Sequence, residues 1–152
     1  MAQVISATTK FAQRAHATGR RHQDGLAKHY TFLAKSEDLL TRARAAAADD
    51  RFNDAVELAY QAGLRAAGAW IAVTAVGKRK RVPSSAWDQL ALVGGAGREW
   101  AQEFRGYSRL RSRLVTGLED AADPDVALRL LETAAEFVSV VRSEGAAEQA
   151  AA

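Results

Sequence analysis

The sequence predicts an all-α protein, an antiparallel up-and-down helical bundle of four long helices with short extra helices. Three observations carry that expectation. Ala, Leu, Arg and Glu are used heavily while only Pro83 and Pro124 interrupt 152 residues. Apolar residues recur at helical spacing, and the one β-branched cluster, Ile71-Ala72-Val73-Thr74, falls inside such a pattern. Helix start and stop signals are separated by short connections, which favour antiparallel neighbours.

Each element follows from its own residues. Val4, Ala7, Thr8, Phe11 and Ala15 space a short helix over residues 3–18 that stops at Gly19. Leu26, Tyr30, Leu33 and Leu40 form one apolar row of a first long helix, about Asp24 to Ala48, widened by Phe32, Leu39 and Ala43. Asp49-Asp50 offers a cap to a second helix running to about Val76, where Ala55, Ala59, Ala62, Gly63, Ala66 and Ala67 let a neighbouring backbone approach closely. Ser85-Ala86-Trp87-Asp88 has the form of a capping box and starts a short helix. Gly94-Gly95-Ala96-Gly97 breaks it before a longer helix from about Arg98 to Leu118. Asp123-Pro124 opens the last helix, Val126 to Ser143, with Val126, Leu130, Phe137, Val140 and Val141 inward. The organisation expected is a basic segment over 1–23, a bundle over 24–144 and a disordered Ala-rich tail over 145–152.

Composition excludes several function classes. Without cysteine there is no disulfide, thiolate metal site or Cys nucleophile, which suits a reducing compartment, and cytoplasmic localisation is expected. No apolar run reaches the roughly 18 residues a membrane span needs, so no membrane association is expected. Net charge is +3, so a polyanion partner depends on how the cations are distributed. Residues 1–23 carry Lys10, Arg14, Arg20 and Arg21 with no acid before Asp24. Such an acid-free start also suits a transit peptide, but an ordinary basic helix accounts for it.

Two groups of cations could meet nucleic acid. Lys78, Arg79, Lys80 and Arg81 are consecutive; they read first as a solvated helix end before Pro83, and as a phosphate grip only if other charges join them. On a wheel of 100° per residue, Arg98, Arg105, Arg109 and Arg113 share one side of their helix, while Trp100, Phe104, Tyr107, Leu114 and Leu118 share the other. Arg111 falls in the apolar sector and needs a carboxylate or a cleft; a buried ion pair with Glu37 is the first choice and Glu57 the second. His16, His22 and His29 are spaced six and seven residues apart, unlike a helical metal site, and read as solvated surface groups. No metal site and no cofactor is expected.

Phe52-Asn53-Asp54-Ala55 leading into Tyr60-Gln61-Ala62-Gly63-Leu64-Arg65-Ala66-Ala67 resembles the corresponding helix of HEPN domains. The turn Arg81-Val82-Pro83-Ser84-Ser85-Ala86-Trp87, Glu99-Trp100 followed by Phe104, and the arginines around Arg111 resemble an actinobacterial branch, the SAV_6107-like HEPN proteins. The likeness covers about residues 28–142 and implies a HEPN-like bundle. In active HEPN families it would imply metal-independent RNA cleavage by an Arg followed four to six residues later by a His, a cation for phosphate beside a proton-transfer group. Here no histidine follows His29, and no earlier arginine has the required spacing, so no catalytic His can be assigned. The expectation is a non-catalytic homodimer that binds RNA, DNA or a protein partner. The alternative is a divergent RNase or toxin component using Arg111, Arg109 and Tyr107.

Overall fold

A computed structural model describes residues 7–151, with side chains from Gly19 onward. Its helices are α1 (Ala7–Ala48), α2 (Phe52–Ala72), α3 (Ala86–Ala91), α4 (Gly95–Val115) and α5 (Pro124–Ala150), with a 3-10 turn at Ala75–Lys78 and no strand among the described residues. The expected all-α up-and-down bundle is what forms.

Pairing follows from contacts between distant residues. Gly25 lies against the Ala72 carbonyl, His29 Nδ1 meets the Ala69 carbonyl at 2.8 Å, and Ser36 Oγ donates to the Ala62 carbonyl at 2.7 Å, so α1 and α2 run antiparallel. Glu57 meets Arg111 and Gly63 meets Phe104, which makes α2 and α4 antiparallel. Glu37–Arg142 and Tyr30–Gln149 set α5 antiparallel to α1. The core sits where these helices meet: Trp87 stacks on Phe104 with centroids 4.7 Å apart, and Phe137 touches Trp70, Trp100 and Phe104 edge-on or tilted. The aromatic ring of Phe104 occupies the space that a side chain at Gly63 would fill, so this glycine serves packing.

Several boundaries differ from the sequence reading. The predicted stop at Gly19 does not occur; α1 passes through Gly19 and Gly25 without a break. A helical glycine costs about 1 kcal/mol, which neighbouring turns offset, and at Gly25 the missing Cβ admits the Ala72 carbonyl. Val4 and the side chains of Phe11 and His16 lie outside the described residues. Asp49-Asp50 ends α1 instead of capping α2. Asp50 turns left-handed (φ 56°), and the Asp50 and Arg51 amides donate to the Ala47 and Ala46 carbonyls at 3.1 and 2.9 Å, which satisfies the end of α1. Arg51 precedes α2 with no side-chain cap.

Helix α2 stops at Ala72, short of Val76, because the Thr74 hydroxyl takes the Ile71 carbonyl at 2.8 Å. The Ser85 box does not close, since Asp88 turns to Arg105. Gly94, at φ 155°, separates α3 from α4, but Gly95 to Gly97 belong to α4 and not to the expected break; the Asp123 carboxylate accepts from the Asp125 amide at 2.9 Å at the start of α5, as read. The predicted disordered tail is helical to Ala150. Gly145 is buried against His29, the Tyr30 hydroxyl donates to Gln149, and His22 lies 3.3 Å from Glu148. Tyr30 is 43 % exposed and His29 fully buried, the reverse of their expected places. Leu118 lies beyond the end of α4 and is 79 % exposed instead of packed.

Candidate nucleic-acid interface

The basic run is brought against a second set of cations. Past the 3-10 turn, Lys78 and Arg79 face Arg21 and Lys28 of α1 across a groove of about 540 Å³. Helical spacing places Arg21, Lys28 and Phe32 on one side of α1. Phe32, Ile71, Val76 and Val82 supply apolar surface between the cations, and Asp24 is the acid among the lining residues. Lys28 Nζ lies 5.5 Å from the Phe32 ring centroid and the Arg65 guanidinium 5.8 Å from it, so the aromatic face concentrates positive charge. Lys80 and Arg81 are exposed on the loop that leaves this groove. The groove can neutralise an extended phosphate backbone along its cations while offering apolar surface to a base.

The arginines of α4 do not extend this surface as a continuous free stripe. Arg105 is tied to Asp88 at 2.5 Å and Arg113 to Glu119 at 2.7 Å. Arg98 and Arg109 are exposed without a carboxylate partner among the described residues. Arg21 and Lys28, which line the groove, and Arg65 beside Phe32 were not singled out in the sequence as binding residues. The i, i+7, i+11 spacing of Arg21, Lys28 and Phe32 was the available signal.

Arg111 pairs with Glu57, not with Glu37 as first expected. Its Nε and Nη2 reach the two Glu57 oxygens at 2.5 and 2.9 Å, Gln61 donates to Glu57 at 2.7 Å, and the guanidinium lies over the Tyr60 ring at 5.1 Å. The pair is about a third exposed rather than buried, beside a cleft of about 200 Å³. Glu37 instead holds Arg142. Axial register decides this: Glu57 lies level with Arg111 along antiparallel α2 and α4, whereas Glu37 faces α5. The Arg111 hydrogen bond holds the Glu57 carboxyl below its ordinary range against the opposing effect of burial, and the same bond raises Arg111.

The three weak catalytic candidates all stand on α4 but line no common cleft among the described pockets. Arg111 is engaged by Glu57, Tyr107 lines a different groove, and Arg109 is exposed. His29 is buried with Nδ1 at the Ala69 carbonyl, and His22 lies beside Glu148.

The described chain is an all-helical up-and-down bundle with an Ala-rich central helix and a basic groove. The family model for SAV_6107-like HEPN matches residues 42–142, and the chain belongs to that HEPN family. No curated protein and no solved structure matches the chain. No described helix is long and apolar enough to cross a membrane.

Proposed function

We propose that this HEPN-family chain is a non-catalytic nucleic-acid-binding protein whose contact surface is the groove between α1 and the 3-10 turn, continued by Lys80 and Arg81. The observation that carries this reading is the convergence of Arg21, Lys28, Lys78 and Arg79 around Phe32 and Val82. Four cations within one groove attract a polyanion by counterion release, and the intervening apolar surface suits unstacked bases. The RNase alternative has less support, because its arginine is held by a carboxylate and no histidine stands beside it.

Fluorescence anisotropy with a labelled 20-nucleotide RNA tests the reading. Binding is expected at low salt and should weaken steeply as salt rises. Lys78→Glu with Arg79→Glu should reduce affinity at least about tenfold and flatten the salt slope by roughly 0.7 per lost phosphate contact on a single strand. Unchanged binding in that variant would reject the groove. RNA cleavage in chelator that Arg111→Ala abolishes would favour the enzyme instead.

A further inference from the structure

Between α4 and the start of α5 lies a second groove, of about 720 Å³, with the opposite lining. Glu99, Glu103, Tyr107, Leu110 and Arg113 follow one face of α4 at helical spacing, so the groove tracks that helix for about 21 Å, roughly four turns. Its middle is apolar: Leu110 is buried, and Tyr107 and Val126 are half-buried. Carboxylates stand toward both ends. Glu99 and Glu103, one turn apart, are exposed and hold no cation among the described residues. Glu119 and Asp123 line the other end with Arg113, the one lining cation, which Glu119 engages. Nothing in the nucleic-acid reading uses this surface, since its carboxylates repel a phosphate backbone.

A second observation concerns the backbone. Gly106 lines the middle of the groove, and no heavy atom outside its own stretch of helix comes within 4 Å of where a Cβ would stand. A glycine inside a helix lowers its stability relative to alanine. At Gly25, Gly63 and Gly145 that loss accompanies close packing, because the Ala72 carbonyl, Phe104 and His29 take the places left open. At Gly106 the open place lies in the groove, and no part of the described chain fills it.

We infer that this groove docks a basic amphipathic helix of a different protein, one with lysine or arginine toward both ends and a short apolar row between them. Charge complementarity selects the occupant: four lining carboxylates against one cation that is already engaged attract a cationic segment and reject an acidic one. Length selects its form. A helix of about four turns reaches Glu99 and Glu103 with one pair of cations and Glu119 and Asp123 with the other, whereas a metal ion or a small amine meets only one end. The apolar row covers Tyr107, Leu110 and Val126 and keeps water from the centre, and Gly106 lets the incoming backbone approach closely.

Fluorescence anisotropy tests the docking, with the full chain and a labelled alanine-based helix of about 16 residues that carries two lysines one turn apart near each end and two leucines between them. Saturable binding is expected at roughly 0.1 M salt, where exposed charges more than about 10 Å apart are largely screened. Gly106→Phe, which projects a ring into the groove, and separately Glu99→Gln with Glu103→Gln, should each weaken binding at least about tenfold with the circular dichroism spectrum unchanged. Replacing the two leucines of the probe by alanine should cost about the same factor. Absence of saturable binding, or unchanged binding in either variant, would overturn the inference. A leucine-free probe that binds as tightly would also overturn it, since the groove would then be only an acidic face. So would sedimentation velocity that finds the unmodified chain self-associated and the Gly106→Phe variant monomeric, which would give the groove to a second copy. Lys78→Glu with Arg79→Glu should keep peptide binding and Gly106→Phe should keep RNA binding, so the two grooves succeed or fail separately.

Discussion

At the scale of single residues, Ser36 Oγ and His29 Nδ1 find partners on a neighbouring helix, whereas His29 Nε2 is buried with none among the described residues. Ser36 and His29 occupy core positions of α1 because α2 presents a carbonyl to each. Glu57 is the residue whose chemistry can be read most directly. Its carboxyl is depressed from an ordinary value of 4.5, first by the Arg111 hydrogen bond. A depressed carboxyl adds stability that is present above its unfolded pKa and is lost as pH falls through the folded one. Glu57→Gln should therefore reduce stability near neutral pH and flatten its decline below about pH 4.5, measured by urea unfolding from pH 3 to 7. An unchanged acid limb would mean that the pair contributes nothing to the pH dependence. Arg111 shows what spacing can tell: its place in the apolar sector demanded an acid, but the sequence ranked Glu37 ahead of Glu57, the acid that holds it.

Elements were legible where periodicity was long and unbroken, and less so at their ends. The glycine run gave the α3–α4 break and Asp123-Pro124 gave the start of α5, since both act through their own backbone. Asp49-Asp50 was ambiguous because the same short side chain can cap the next helix or, in a left-handed turn, close the previous one. The end of α5 was unreadable for a different reason. An Ala-rich stretch has no apolar row to announce packing, yet Gly145 lets α1 approach until His29 fills the space a Cβ would need. Gly145→Ala should destabilise the protein by about 1–3 kcal/mol despite the better helix propensity of alanine, because the collision is with a fully buried ring. Thermal unfolding together with amide exchange over residues 145–150 would measure it. Stabilisation would show that this end of α5 does not bear on α1.

At the scale of the whole molecule, one aromatic core lies beneath two oppositely lined grooves. Phe137 is fully buried among Trp70, Trp100 and Phe104, so Phe137→Ala should cost about 3–5 kcal/mol in denaturant unfolding. Arg105 is an exposed partner of Asp88, and Arg105→Ala should stay within about 1 kcal/mol. Comparable losses for the two would contradict the placement of the core. The grooves belong to the tertiary arrangement. Lys78 and Arg79 share a groove with Arg21 and Lys28 only because the 3-10 turn packs on the end of α2, which lies against α1, and the carboxylates of α4 meet Glu119 and Asp123 only where α5 begins.

The sequence by itself determined an all-helical chain, the approximate number of long helices, the apolar faces of α2, α4 and α5, and the lack of an Arg-to-His cleavage motif. These depend on residues within a few turns of one another, and the 3.6-residue period records them directly. The tertiary structure decided that Glu57, not Glu37, neutralises Arg111, that two further α4 arginines, Arg105 and Arg113, are spent on carboxylates, and which cations share a groove. Such pairings depend on helix order and axial register, which arise from packing across the whole core and leave no periodic trace in any single segment.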